Sequence, residues 1–458
     1  MERVVKTLVV STLFPSSVRP VFGIFVETRL RELLKSGKVE SRVIAPVPWF
    51  PFKSQRFGEY AQYASTPLEE VRHGIPVSHP RYFLPPAVGM NLAPYTLALS
   101  ILTKAREIQR SGYDFDLIDA HYYYPDGVAA GMVARELNKP YVVTARGTDL
   151  NLIPEYPRPR RLILETARHA AASIGVCKAL MDRLGELGAD PAKLHVMRNG
   201  VDLERFHPVD RGKARELLKL GDEHVLLSVG HLVERKGHHL AIEALVSLPK
   251  NFILVIAGTG PDLASLSALA EARGLQHRVR FVGQVPNEQL KYWYSAADAL
   301  VLCSSREGWA NVLLESMACG TPVVATNIWG TPEVVNTPHA GRLMHARTSV
   351  ALVESLNELF SDPPSRRVVR QHAECFGWDA TSQAQINLFG KIVNACPGTY
   401  RPLGRCGCRH TEKAPVGGAC LDFCEHIQHS PAWLRDCDAS GRHGHRPLSG
   451  RERPGSPF

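Results

Sequence analysis

Two carboxylates, Glu307 and Glu315, stand eight positions apart around the start of a short helical run in the string ALVLCSSREGWANVLLESMACGTPVVATNIWGTPEVV, residues 299–335. A carboxylate accepts paired hydrogen bonds from vicinal hydroxyls. A helix start offers free N–H groups and a positive dipole end to phosphate or sugar oxygens. Together they suit a ligand that carries both diols and phosphates. Taken singly, Glu315 reads as a complement to the helix dipole and Glu307 as a solvated loop charge. His231, Arg235 and Lys236 share one short loop, and basic side chains there suit a diphosphate. His121, Arg146 and Asp149 follow two neighbouring apolar runs, so the three point to one shared polar pocket.

The elements that must position these groups alternate between strand and helix. Residues 299–303 are a short apolar run typical of a strand buried on both faces. A polar loop follows at 304–308; Asn311 reads as the N-cap of a helix over 312–319 that places Glu315 in its first turn and stops at Gly320. Residues 322–326 are the next strand, and Gly330 with Pro332 makes a turn. In the first half, strands are predicted at 4–10, 42–45, 116–121, 141–144, 173–177 and 194–197, with helices over 24–36, 91–110 and 128–137 and one that follows residue 177 and runs through Leu187. In the second half, strands over 225–230, 252–257 and 279–283 and helices over 238–248, 288–295, 352–360, 365–374 and 378–393 complete the pattern. Such alternation predicts two doubly wound parallel sheets, which bind ligands beyond the carboxyl ends of their strands. Gly23 closes the loop after the first strand, and Gly258 with Gly260 follows the strand over 252–257. Neither is a dinucleotide fingerprint, because no G-x-G-x-x-G is present there. Pro46 to Phe52, with Phe57, Tyr60 and Tyr63 nearby, cannot continue a strand or helix. It reads as a semi-rigid packed loop, with acceptor or membrane contact as the functional alternative. Asn199-Gly200 is read as a turn.

The string around Glu307 resembles the nucleotide-sugar signature of family 4 of the retaining glycosyltransferases. Glu307 and Glu315 fall on that family's E-x7-E pair, and Ala318, Gly320, Pro322, Val323, Gly330 and Glu333 on its flanking pattern. The resemblance extends over about residues 4–395. It implies an α/β, GT-B fold: two Rossmann-like, doubly wound parallel-sheet domains facing a cleft. Domain limits are expected at 1–205 (acceptor side), 206–377 (nucleotide-sugar side) and 378–395, a terminal helix crossing back to the first domain.

The resemblance also implies the roles. Glu307 would meet the donor sugar, Glu315 the ribose, and Lys236 the diphosphate, with His231 and Arg235 as further phosphate candidates. Gly23 and Gly258 would lie near the donor, and Gly308, Trp309, Ala310 and Asn311 would offer backbone contacts. Many members have His-Gly where this chain has Arg146-Gly147. Arginine is permanently charged and serves as an anion clamp rather than a base, so either Arg146 or His121 takes the place of the usual histidine, beside Asp149. The implied activity is transfer from a UDP- or GDP-sugar to a glycan or lipid-linked hydroxyl in cell-envelope or exopolysaccharide synthesis. Such folds require no cofactor or bound metal. A nucleotide-sugar epimerase or hydrolase on the same fold and a non-catalytic sugar-binding protein are the rivals.

Composition bounds the remaining classes. The chain has 458 residues, 44% apolar and 22% charged, enough for two or three domains with sizeable cores. No apolar run approaches the roughly 18 residues of a membrane span. Lys6, Ser11 and Thr12 interrupt any secretory core, so a cytoplasmic location is expected. Of the +9 formal charge, the last 63 residues carry nine Lys/Arg against six Asp/Glu, which leaves +6 for residues 1–395. That excess can favour an anionic ligand or peripheral contact with the inner membrane surface. It is no nucleic-acid signal, since no basic stripe with interleaved aromatics occurs. Cys177, Cys303, Cys319 and Cys375 read as buried thiols. The other six cysteines crowd residues 396–458 amid Pro, Gly and His. Cys420 and Cys424 with His426 or His429 could ligate zinc, but no clear tetrahedral spacing is present, and a disordered or poorly packed extension is expected.

Overall fold

The computed structural model describes residues 3–85 and 89–395; the expectations placed on the cysteine-rich segment lie outside the described residues. Ten strands form in the first half: β1 (Val5–Val10), β2 (Val39–Ile44), β3 (Val47–Pro48), β4 (Glu69–Arg72), β5 (Ile75–Ser78), β6 (Arg81–Tyr82), β7 (Leu117–His121), β8 (Tyr141–Ala145), β9 (Ala172–Gly175) and β10 (Leu194–Val196). Eight of them make one sheet in the order β10-β9-β8-β7-β1-β2-β5-β4. Its ladders are parallel, for example Thr7 beside Leu117 and Val5 beside Val39. β4 alone runs antiparallel, paired with β5. β7 and β8 are buried along their whole length, which is why their sequences, LIDAH and YVVTA, are near-continuously non-charged.

The second half adds β11 (His224–Val229), β12 (Phe252–Ala257), β13 (Val279–Gly283), β14 (Ala299–Leu302), β15 (Val323–Thr326) and β16 (Gly341–Met344). They form an all-parallel sheet in the order β13-β12-β11-β14-β15-β16. Helices cover the sheet: His238–Ser247 and Ser349–Ser361 bury Ile242, Leu245, Leu352 and Leu356 in one core with Leu226, Leu254 and Val301. Each such side chain contributes roughly 1.5–3 kcal/mol by leaving water. In each sheet the strand order reverses at one point, between β1 and β7 and between β11 and β14. The loops after those strands diverge there and leave a crevice.

The helix Trp378–Ala395 returns to the first lobe. Its Phe389 and Ile392 are buried with Val5, Leu33, Val39 and Leu117, and Gln385 reaches Arg29 and Asp119.

Several local readings are corrected. The helix predicted over 312–319 is Asn311–Ala318, so Asn311 is its first residue and Ala310, which has no capping side chain, precedes it. Glu315 therefore sits in the second turn. The turn at Gly330 opens a short helix, Thr331–Val334, started by Pro332, as proline in a first turn allows. The segment after Pro46 does contain a strand, β3: Val47 and Trp49 donate to Pro80 and Tyr82 carbonyls, while Pro48 lacks only the N–H that this edge does not use. Cys375 is exposed, whereas Cys177, Cys303 and Cys319 are buried. The helices Pro157–His169 and Leu263–Ala272, the hairpin β4–β5 and the edge strand β16 lie in stretches for which no element was predicted.

Candidate active site

The loops at the two reversal points face one another across a cavity of about 400 Å³. From the second lobe come Arg235 and Lys236, on the turn after β11, and Arg306, Glu307, Gly308, Trp309, Ala310, Asn311 and Val312, after β14. The first lobe supplies Leu13, Phe25, Tyr122, Arg146, Gly147, Thr148, Asn151, Val176 and Asn199.

The two loops of the second lobe are locked together. Gly237 has a φ of +71°, and a Cβ there would lie 2.1 Å from the Cys303 carbonyl oxygen, so only glycine lets the strand ends approach so closely. His238 is buried; its Nε2–H donates to the His231 carbonyl at 3.3 Å, and Nδ1 accepts from Ser228 at 2.9 Å. Burial holds that imidazole neutral, with its pKa pushed down to about 4. Arg235 donates to the Arg306 carbonyl at 3.0 Å.

Glu307 is buried, and Oε1 accepts from Lys236 Nζ and from Ser304 Oγ, each at 2.6 Å. Burial opposes its ionisation, but the Lys236 charge and these two hydrogen bonds outweigh it and hold the carboxyl below its usual range. Glu307 is a carboxylate at neutral pH. Glu315 differs. It is half-buried and accepts from the Tyr294 hydroxyl at 2.8 Å. Burial pushes its pKa up to about 7 against the pull of Tyr294 and Arg205.

On the first lobe, His121 and Arg146 meet: Arg146 Nη2 donates to His121 Nδ1 at 2.5 Å. His121 is therefore neutral, in keeping with burial and the Arg146 charge, which lower its pKa although Asp119 lies 3.4 Å from Nε2. Asp149 lies beneath the pair, accepting backbone N–H groups from Tyr123, Arg146 and Gly147. The expected cluster forms, yet only Arg146 of the three lines the cavity.

Arg235, Lys236, Glu307, Gly308, Trp309, Ala310 and Asn311 also line it. Glu315, His121, Asp149, Gly23, His231 and Gly258 do not. Gly23 sits one layer back, at φ +67° before the helix Ile24–Leu34, where a Cβ would lie 2.4 Å from Leu13. His231 is exposed, and Gly258 packs against the Gly230 carbonyl, 1.8 Å from where its Cβ would stand. Among the described residues, no group of three His, Cys, Asp or Glu is placed to hold a metal ion.

Asn199 exceeds the turn role read for it. Its Oδ1 accepts from Arg29 at 3.2 Å and from Arg146 at 3.3 Å, and Nδ2 donates to Asn311 at 3.4 Å. One amide thus ties the first lobe's buried guanidiniums to the helix that carries Glu315. Arg306, Thr148, Asn151, Phe25 and Tyr122 are further lining residues that sequence reasoning missed. For Arg306 the signal was adjacency to Glu307.

The comparisons agree with this geometry. Residues 23–205 match the family described as "Glycosyltransferase Family 4" and residues 210–375 the family "Glycosyl transferases group 1". A Bacillus subtilis (strain 168) protein named as a teichuronic acid biosynthesis glycosyltransferase, TuaC, is 32% identical over 360 residues, covering 77% of this chain and 88% of its own. A D-inositol 3-phosphate glycosyltransferase of Xylanimonas cellulosilytica is 30% identical over 359 residues, covering 73% and 86%. Among solved structures, sucrose-phosphate synthase from Thermosynechococcus elongatus superposes with a TM-score of 0.70 at 20% identity, over 85% of this chain and all of that one. Anabaena Alr3699/HepE in complex with UDP and glucose does so with 0.65 at 20% identity, over 84% and 100%. The fold is that of GT-B glycosyltransferases.

Proposed function

The chain belongs to family 4 of the glycosyltransferases, and on that premise we propose that it transfers a sugar, with retention of anomeric configuration, from a UDP- or GDP-sugar to a hydroxyl of a glycan or lipid-linked acceptor in cell-envelope or exopolysaccharide synthesis. The observation that carries this reading is the ionised, buried Glu307 beside Lys236, in a cavity of about 400 Å³ between two lobes. That volume suits a small-molecule site. HepE is solved with UDP and glucose, and the TuaC relative is named for cell-envelope polymer synthesis.

In this reading Lys236 and Arg235 take the diphosphate, joined by the free N–H groups at the start of the Asn311–Ala318 helix. Glu307 accepts hydrogen bonds from the donor sugar. The acceptor oxygen bonds to the anomeric carbon on the face that the diphosphate leaves. The carbon–oxygen bond to phosphate breaks with its electron pair going to the diphosphate, whose departing oxygen takes the acceptor proton. The cationic wall stabilises the charge that develops there. His121, Arg146 and Asp149 shape the first-lobe wall, with Asp149 fixing the backbone of Arg146 and Gly147.

The acceptor side includes an exposed aromatic set. Trp49, Phe52 and Tyr60 are each more than half exposed. Phe50 packs at 5.3 Å from Phe57 and 5.2 Å from Tyr60, with Lys53 and Arg56 exposed between them. Aromatic rings with interspersed basic residues suit the headgroup zone of an anionic bilayer. This supports peripheral attachment to the cytoplasmic membrane surface by a protein in which no described helix is long and apolar enough to cross a membrane.

Thermal stabilisation by a panel of nucleotide sugars identifies the donor, and product analysis then tests the reaction. Transfer to an acceptor with retained configuration is expected. Free sugar or an epimerised donor formed without acceptor would instead show a hydrolase or epimerase.

A further inference from the structure

We infer that the transferred sugar carries a carboxylate, and that Arg146 is the residue that selects it. The inference rests on the nucleotide-sugar reading above and adds the charge of the sugar. Arg146, Arg235, Lys236 and Arg306 line the cavity against a single carboxylate, Glu307. A diphosphate diester brings two negative charges, so a donor with a neutral sugar would leave one more cation than anion among the groups that line the cavity. Desolvated charge without a partner is costly.

Among the four, Arg146 is the cation that stands apart from the two on the β11 turn. Arg235 and Lys236 share the turn after β11, whereas Arg146 stands on the opposite lobe, against the loop of Glu307. A Cβ on Gly308 would lie 1.8 Å from the Arg146 carbonyl oxygen, and one on Gly147 3.0 Å from the Gly308 nitrogen. Arg146 is thus next to the residue that follows Glu307, on the side where the donor sugar is proposed to sit.

Its own hydrogen bonds go to partners without charge. Nη2 donates to His121 and Nη1 to Asn199, both neutral, and Nε makes no hydrogen bond among the described residues although it is buried. The residue is only 9% exposed. Two buried carboxylates lie nearby and offset part of that charge: Asp149 accepts three backbone N–H groups, and Asp119 accepts from Gln385 through Oδ2, has no hydrogen-bond partner at Oδ1, and shares its charge with a second buried guanidinium, Arg29. Burial and Arg29 push the Arg146 pKa down to about 9, against the pull of Asp119 and Asp149. The group stays charged at neutral pH. The Phe25 ring, 5.5 Å from the guanidinium carbon, backs it. A planar, permanently charged fork in this setting matches a sugar carboxylate, which accepts two parallel N–H bonds. A hydroxymethyl group in its place would leave the charge unpaired.

The test compares base-matched pairs on the full chain: UDP-glucose with UDP-glucuronate, and GDP-mannose with GDP-mannuronate, each beside UDP or GDP alone. In the pair whose base fits, the acidic member is expected to bind at least about tenfold tighter, the scale of a charged hydrogen bond. Arg146→Gln should remove that advantage while leaving affinity for the bare nucleotide unchanged, and Arg146→Lys should keep part of it. Equal or tighter binding of the neutral member by the wild-type protein overturns the inference without any variant having to fold. So does an Arg146→Gln variant that weakens the acidic donor, the neutral donor and the bare nucleotide alike. An acidic preference seen only among acceptors overturns it too. Nucleotide binding without an acidic preference leaves the transferase reading standing, whereas no binding of any nucleotide brings down both.

Discussion

Lys236 Nζ donates to Glu307 Oε1 at 2.6 Å, and Ser304 Oγ donates to the same oxygen. Both bonds fall on Oε1; Oε2 has no hydrogen-bond donor among the described residues and is the acceptor left for a sugar hydroxyl. One cation therefore serves two ends of the proposed donor. It holds the Glu307 carboxylate ionised and, in the proposed reading, meets the diphosphate.

The pair is expected to be asymmetric when cut. Lys236→Ala leaves a buried carboxylate with Ser304 as its remaining hydrogen-bond donor, which should cost about 1–3 kcal/mol. Glu307→Gln leaves an ammonium on a flexible stem that can turn to water, so its cost should be under about 1 kcal/mol. Urea denaturation of the two variants measures this, and equal losses would contradict the geometry.

Much of this site was legible in the sequence because each group sits where a strand ends. The apolar runs that became β7, β8, β11 and β14 announced themselves; His121 ends the first, and Arg146, Lys236 and Glu307 follow the others within a few residues. What stayed hidden depends on tertiary contact. Nothing local shows that Asn199 would bridge Arg29, Arg146 and Asn311, residues drawn from four separate segments. Nor does spacing show that Glu315 lies off the cavity that Glu307 lines, held by Tyr294. The helix Pro157–His169 was missed because its first turn holds two prolines and its buried face is only four residues. The strand β16 was missed because GRLM, with a glycine and an arginine, is too short and mixed to read as one.

Glu315 should give stability a specific pH dependence. Its carboxyl titrates near its ordinary value of 4.5 when unfolded and at about 7 when folded. The folded state thus holds a proton that the unfolded state gives up. The stabilisation is fully present below pH 4.5 and is lost as pH rises through about 7. Relative to wild type, Glu315→Gln should become more stable as pH rises from 5 to 8, measured by urea midpoints. Parallel profiles for the two proteins would contradict the raised pKa.

Asn199→Ala removes an acceptor shared by two buried guanidiniums and a donor to Asn311. The expected loss is about 1–3 kcal/mol of stability, with weaker donor binding because the helix start at Asn311 loses its tie to the first lobe. Calorimetry and nucleotide titration on the same variant report both quantities. Wild-type values for both would show the bridge to be incidental.

If the exposed aromatic set meets a bilayer, replacing Trp49, Phe52 and Tyr60 together with Ser should weaken binding to vesicles rich in anionic lipid by about tenfold or more, since each ring that enters the interface contributes on the order of 1 kcal/mol of apolar burial. Unfolding midpoints should hold, because all three side chains are largely exposed. Vesicle co-sedimentation at low and high salt measures the effect. Undiminished binding by the triple variant would move the membrane-facing surface elsewhere.

Turnover of Glu307→Gln with the donor found by thermal stabilisation reports whether Glu307 grips the donor sugar during transfer, as proposed. A fall of roughly a hundredfold or more is expected, in a protein that unfolds at nearly the wild-type urea concentration. Wild-type turnover by that variant would contradict it.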